Sequence, residues 1–217
     1  MKYGESTFDI IYLLFAILLC VLILRKRRDT VGRLMGLAVL ILGCGDAFHL
    51  IPRVLNYFFI DADFTAWLGF GKLVTSVTMT VFYVLMYRLW LRAYDENEDK
   101  RLTAAVYALA AVRVLLCLLP QNRWLQNDSS VLWGVVRNVP FVILGVIDVW
   151  LFWRKRQEIR RLRRVWLLIT LSFLFYIPVA VAAGLVPMLG MLMLPKTVCY
   201  MILIWVFGRY ASESPQA

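Results

Sequence analysis

The sequence predicts an all-α, polytopic membrane protein: a single seven-transmembrane-helix bundle over residues 1–217, with the N-terminus outside and the C-terminus cytoplasmic. Three observations predict it. The composition is 62% hydrophobic and 18% charged with a mean hydropathy of +0.73, whereas soluble domains are about half apolar and about a quarter charged. Seven apolar runs of membrane-crossing length fill most of the chain, a helical span needing about 20 such residues. The basic residues fall on alternate breaks between those runs. A net charge of +10 in a soluble chain would suggest nucleic acid, but too little polar surface is left here for such a groove.

The first run, 8–24, follows Glu5 and Asp9 and precedes Arg25, Lys26, Arg27 and Arg28. These flanks reverse those of a cleavable signal peptide, so the run is expected to stay as a membrane helix. The second, 34–58, carries the densest polar group, GCGDAFHLIPR at 43–53. Its Asp46, His49 and Arg53 recur at i, i+3 and i+7 and share one helical face. Gly32 and Gly36 around its start suit close helix packing. The third run, 67–90, holds Lys72, Thr75 and Ser76, its hydroxyls expected to bond back to their own helix or bridge helices. The fourth, 102–119, holds Arg113. The fifth, 131–153, holds Arg137, Asn138, Pro140 and Asp148, the last expected to pair with the basic loop at 154–164. The sixth, 165–186, carries Ser172, Tyr176 and Pro178, and the seventh, 188–207, Pro195, Lys196, Thr197 and Tyr200.

Of 24 basic residues, seventeen flank one set of breaks and three (Lys2, Arg53 and Arg123) the other. Lys and Arg accumulate on cytoplasmic loops, which sets the orientation given above. The tryptophans fall near both expected interfaces, with Trp124 among the outer ones and Trp90 among the inner.

Four basic residues remain inside the runs: Lys72, Arg113, Arg137 and Lys196. A charged side chain near the bilayer midplane costs about 3 kcal/mol on insertion scales and is a functional candidate by default. At the helical rise Lys72, Arg113 and Arg137 lie about 8–9 Å below the outer boundary and Lys196 about 12 Å. Pro140, Pro178 and Pro195 fall in the same layer, where a proline frees a carbonyl and bends the helix. A water-containing cavity opening outward is expected there, holding Lys72, Arg53, Arg113, Arg137 and Lys196 against Asp46. Asp46 is expected to pair with Lys72 or His49. Each residue also has a structural reading: Arg53 and Lys72 can snorkel to the interface, and Arg113 and Arg137 can bond to backbone carbonyls.

A cavity with that surplus favours an anion. The first functional expectation is a binding or transport protein for an anionic small molecule or lipid headgroup, with Asn138 and Tyr176 orienting it and membrane lipids as further partners. The alternative is an intramembrane enzyme with Asp46 and His49 as an acid–base pair. Against it, no nucleophile motif accompanies the pair, and a lone histidine argues against metal hydrolysis. A scaffold with internally paired buried charges is a further option. Cys20, Cys44, Cys117 and Cys199 show no metal or redox spacing, so no metal site or cofactor is predicted.

Seven helices, an outside N-terminus and Lys196 midway along the last helix together resemble the microbial rhodopsins. The resemblance implies retinal carried on Lys196 as a Schiff base. It covers topology and that one residue: Leu192 stands where the family carries an aspartate one turn before the lysine, and Lys72 and threonines stand where its third helix offers an acidic counter-ion. With no eukaryotic targeting signal evident, a bacterial plasma (inner) membrane is the expected location.

Overall fold

The computed structural model describes residues 2–59, 61–127, 130–182 and 186–213. Its regular structure among these residues is all helical. Seven long helices carry it: α1 (Lys2–Lys26), α2 (Thr30–Phe58), α3 (Thr65–Ala93), α4 (Lys100–Leu118), α5 (Val131–Arg154), α6 (Val165–Ala182) and α7 (Met193–Glu213). All seven, α6 and α7 each together with the 3-10 turn before it, are long and apolar enough to cross a membrane. The protein is an integral, multi-pass membrane protein by that criterion.

Each helix packs on the next, α7 returns to α1, and α3 also reaches α5. The outer surface is apolar, with Leu14, Leu115 and Leu174 each more than 60% exposed. In water such a surface would drive aggregation, but against lipid tails it costs nothing.

The helices outrun the apolar spans at several ends. α1 begins at Lys2 because its polar first turns bind α2: the Tyr57 hydroxyl donates to Glu5 at 2.7 Å, Arg53 pairs with Asp9, and the Tyr12 hydroxyl donates to Asp46 at 2.7 Å. Asp29 caps α2 by accepting from the Gly32 amide at 2.9 Å. Its contact with Arg27 is the main cause holding its carboxyl below the ordinary range. Gly32 and Gly36 meet Arg27 and Leu24 closely, as their spacing suggested.

The seventh helix differs from expectation at its start, and the sixth is described over only part of its expected run. The sixth run was expected to continue through 183–185, which lie outside the described residues; α6 is described to Ala182. Before α7 comes a 3-10 turn, Pro187–Leu192, so Pro195 falls in the first α-helical turn. An amide there has no intrahelical acceptor, and Pro195 therefore breaks no hydrogen bond. Pro140 and Pro178 lie within their helices, as does Pro52 in α2.

Beneath the polar layer sits an aromatic plug. Phe141 lies 5.1 Å from Tyr83 and 5.0 Å from Phe173 between ring centroids, and Tyr83 hydrogen-bonds Tyr200 at 3.1 Å. Trp90, expected at the inner interface, is instead buried and donates to the Leu151 carbonyl at 3.0 Å. Asp148 corrects a further expectation. It is 1% exposed, and neither carboxyl oxygen has a partner among the described residues. The basic loop pairs within itself and with the acidic segment after α3 instead: Lys155 binds Glu158 of the loop at 2.7 Å and Glu96 of that segment at 2.6 Å, which raises its ammonium above the ordinary lysine range.

Candidate functional site: a cationic cavity among the helices

At the end of the bundle opposite the 154–164 loop, α2 to α7 and the α4–α5 connection enclose a cavity of about 420 Å³. Seven of the nine residues singled out in the sequence line it: His49, Lys72, Arg113, Arg137, Asn138, Tyr176 and Lys196. Close packing of α2 on α3 brings the first two together, because Gly71 lies so near the backbone at Phe48 and His49 that a Cβ would collide with it.

Arg113 is the most constrained of the cations, 1% exposed and held from three directions. Its Nε donates to Thr80 Oγ1 on α3 at 2.9 Å, and one terminal nitrogen donates to the Arg137 carbonyl and to Asn138 Oδ1 on α5, both at 2.9 Å. The guanidinium lies 3.7 Å from the centre of the Phe141 ring, a cation–π geometry. Asn138 Oδ1 also accepts from the Tyr176 hydroxyl on α6 at 2.8 Å, while its Nδ2 donates to the Gly134 carbonyl at 2.7 Å. One amide thus ties α4, α5 and α6 together. Pro140, which has no N–H to give Val136, lies one turn from Arg137, whose carbonyl supports Arg113.

The other cations are held more loosely. Lys196, 8% exposed, places its ammonium 4.7 Å from the Tyr176 ring centre and 5.6 Å from that of Tyr200. It forms no hydrogen bond to a described residue, although Asp46 lies within its electrostatic reach. Lys72 donates to Asn127 Oδ1 at 2.7 Å. Arg137 donates to Asn122 Oδ1 at 2.7 Å and stacks 4.5 Å from the Trp124 ring centre. His49 Nδ1 is buried without a hydrogen-bond partner among the described residues. No carboxylate is among the described residues lining the cavity.

Asp46 and Arg53 do not line it. The expected pairing of Asp46 with Lys72 or His49 gives way to the bond from Tyr12, and Arg53 turns to Asp9. The physical reason is α1: its acidic and phenolic side chains offer partners across the α1–α2 interface that spacing within α2 does not reveal. Asp46 and His49 are not hydrogen-bonded to each other.

The cap over the cavity has no counterpart among the sequence expectations. Two short 3-10 turns, Pro120–Asn122 and Trp124–Gln126, fold the α4–α5 connection over the cavity, with Arg123 and Asn127 left-handed. Asn122 Nδ2 donates to the carbonyls of Leu116 and Leu119 at 2.7 and 2.9 Å, and Trp124 Nε1 to that of Cys117 at 2.7 Å. The end of α4 is thereby satisfied by side chains. Trp124, expected at the outer interface, becomes part of the cavity wall. The only sequence signal was the polar, Pro- and Asn-containing run at 120–127, which marks a turn without saying where it packs.

Chemically, the arrangement offers fixed guanidinium donors, two lysine point charges, an amide and a phenol around one small volume. Such a set chelates oxyanions. No protein-family model matches this sequence, and no curated protein does either.

Proposed function

We propose that the protein binds an anionic small molecule or a lipid headgroup in this cavity, as the recognition step of a transporter or receptor whose cavity opens outward from a bacterial plasma membrane. One observation carries the reading. Basic side chains from α3, α4, α5 and α7 converge on a single cavity, and Lys72, Arg113 and Lys196 form no ion pair with a described carboxylate. Like charges in a low-dielectric site repel strongly, and a bound anion relieves that repulsion. Arg113, already oriented by Thr80 and Asn138, supplies directional donors; Lys72 and Lys196 supply adaptable charge. Pro140 and Pro178 are the bending points if the bound anion is carried across.

Thermal unfolding of the detergent-purified protein tests the reading against phosphate, citrate, succinate and glycerol phosphate at matched ionic strength. An anion that occupies the cavity at saturation is expected to raise the melting temperature by about 5 °C or more. The gain should vanish in Lys196→Gln and in Lys72→Gln. No shift from any anion, or a shift that survives both substitutions, contradicts the proposal.

A further inference from the structure

The opposite ends of α6 and α7 form a second site. A groove of about 370 Å³ runs between the helices there, its apolar floor including Leu167, Ile202 and Trp205 and its rim made of arginines. The floor opens sideways: those three residues are 38%, 43% and 49% exposed on the apolar outer surface. Arg161 and Arg209 at the rim are engaged by Glu213. Arg160, Arg163 and Arg164 are exposed, and none of their guanidinium groups forms a hydrogen bond or ion pair with a described residue. The buried Leu162 holds the 3-10 turn Leu162–Arg164 against the bundle, which fixes Arg163 and Arg164 at the mouth of the groove. The Arg209 guanidinium lies 5.5 Å from the Trp205 ring centre, so the indole and the cation mark one level. A tryptophan beside arginines at the end of an apolar surface is the pattern of a membrane interface.

We propose that this groove is a binding site for an anionic diacyl phospholipid of the leaflet on the side of the 154–164 loop. The phosphate takes Arg160, Arg163 and Arg164, and an acyl chain lies along Leu167, Ile202 and Trp205. Charge complementarity selects the headgroup, and the lateral apolar floor selects a lipid over an acidic soluble partner. The site is independent of the anion cavity. Arg209 lies thirteen residues beyond Lys196 on α7, a separation of about 20 Å along the helix.

Native mass spectrometry of the detergent-purified full chain tests the assignment, with phosphatidylglycerol and phosphatidylcholine of identical acyl chains titrated in separate arms. Phosphatidylglycerol is expected to bind about a hundredfold more tightly, the preference three interfacial arginines supply. The Arg160→Gln/Arg163→Gln/Arg164→Gln variant should lose it. An equal charge change elsewhere at the same end, Arg92→Gln/Lys100→Gln/Arg101→Gln, should keep it, and so should Lys196→Gln. Soluble glycerol phosphate should not compete. Equal retention of both lipids by the wild type overturns the proposal. So does a preference that survives the groove variant or is lost equally in the control variant. Competition by glycerol phosphate makes the groove a site for free phosphate instead. A preference lost in Lys196→Gln moves the lipid to the cavity.

Discussion

Asn138 is the residue on which the cavity wall depends. Its side-chain oxygen accepts from both Arg113 and Tyr176, and the same geometry accepts a carboxylate. Asn138→Asp should therefore keep both of those hydrogen bonds while cancelling one unit of the cavity's positive surplus, but it loses the Nδ2 donor and sets an oxygen against the Gly134 carbonyl. The expected outcome is a melting temperature lowered by the lost bond to Gly134 together with anion affinity reduced by about tenfold or more, since a charge-assisted contact is worth roughly 1.5–3 kcal/mol. Calorimetric titration and thermal unfolding of the same preparation check it; unaltered affinity would mean that the anion does not sit against Arg113. Asp148 makes the complementary case, a buried carboxyl whose oxygens lack partners among the described residues. Leaving such a group unsatisfied costs about 1–3 kcal/mol, so Asp148→Leu is expected to raise the melting temperature. A fall would show that Asp148 has a partner in the folded protein. At this scale hydropathy outliers were legible and partners were not. Arg113 stood out in its apolar run, but nothing in the local sequence pointed to Thr80 or Asn138, 33 and 25 residues away.

Among the elements, the cap over the cavity has the most specific dependence. A Cβ at Gly69 would fall on the Trp124 carbonyl, and backbone cannot give way as a flexible side chain does. Ala also favours the helix by about 1 kcal/mol over Gly, so Gly69→Ala should leave α3 intact while lifting the connection off it. Hydrogen exchange is expected to accelerate at the amides of 120–127 and remain slow in α3, with weaker anion binding because Lys72 and Arg137 lose Asn127 and Asn122. Wild-type exchange in the cap would contradict this. The long helices were readable because hydropathy reports membrane span directly. The polar N-terminal turn of α1 and the 3-10 turn before α7 were not, since tertiary contacts and local proline geometry decide them.

For the molecule as a whole, charge divides into two populations. The basic residues around the 154–164 loop meet acidic partners or the groove between α6 and α7, whereas Lys72, Arg113, Arg137 and Lys196 surround the cavity at the other end. That division was visible from counting residues against apolar runs. Which cations share a volume was less so: Arg53 and Asp46 had the right spacing on α2 but were captured by α1. The four remaining cations are proposed to hold an anion together. An experimental structure at saturating concentration of the most stabilising of the anions above tests it most directly. Density for that anion is expected within hydrogen-bonding distance of the Arg113 guanidinium and the Lys196 ammonium. A cavity holding only water, with Lys72 and Lys196 each paired to a protein carboxylate, would contradict it.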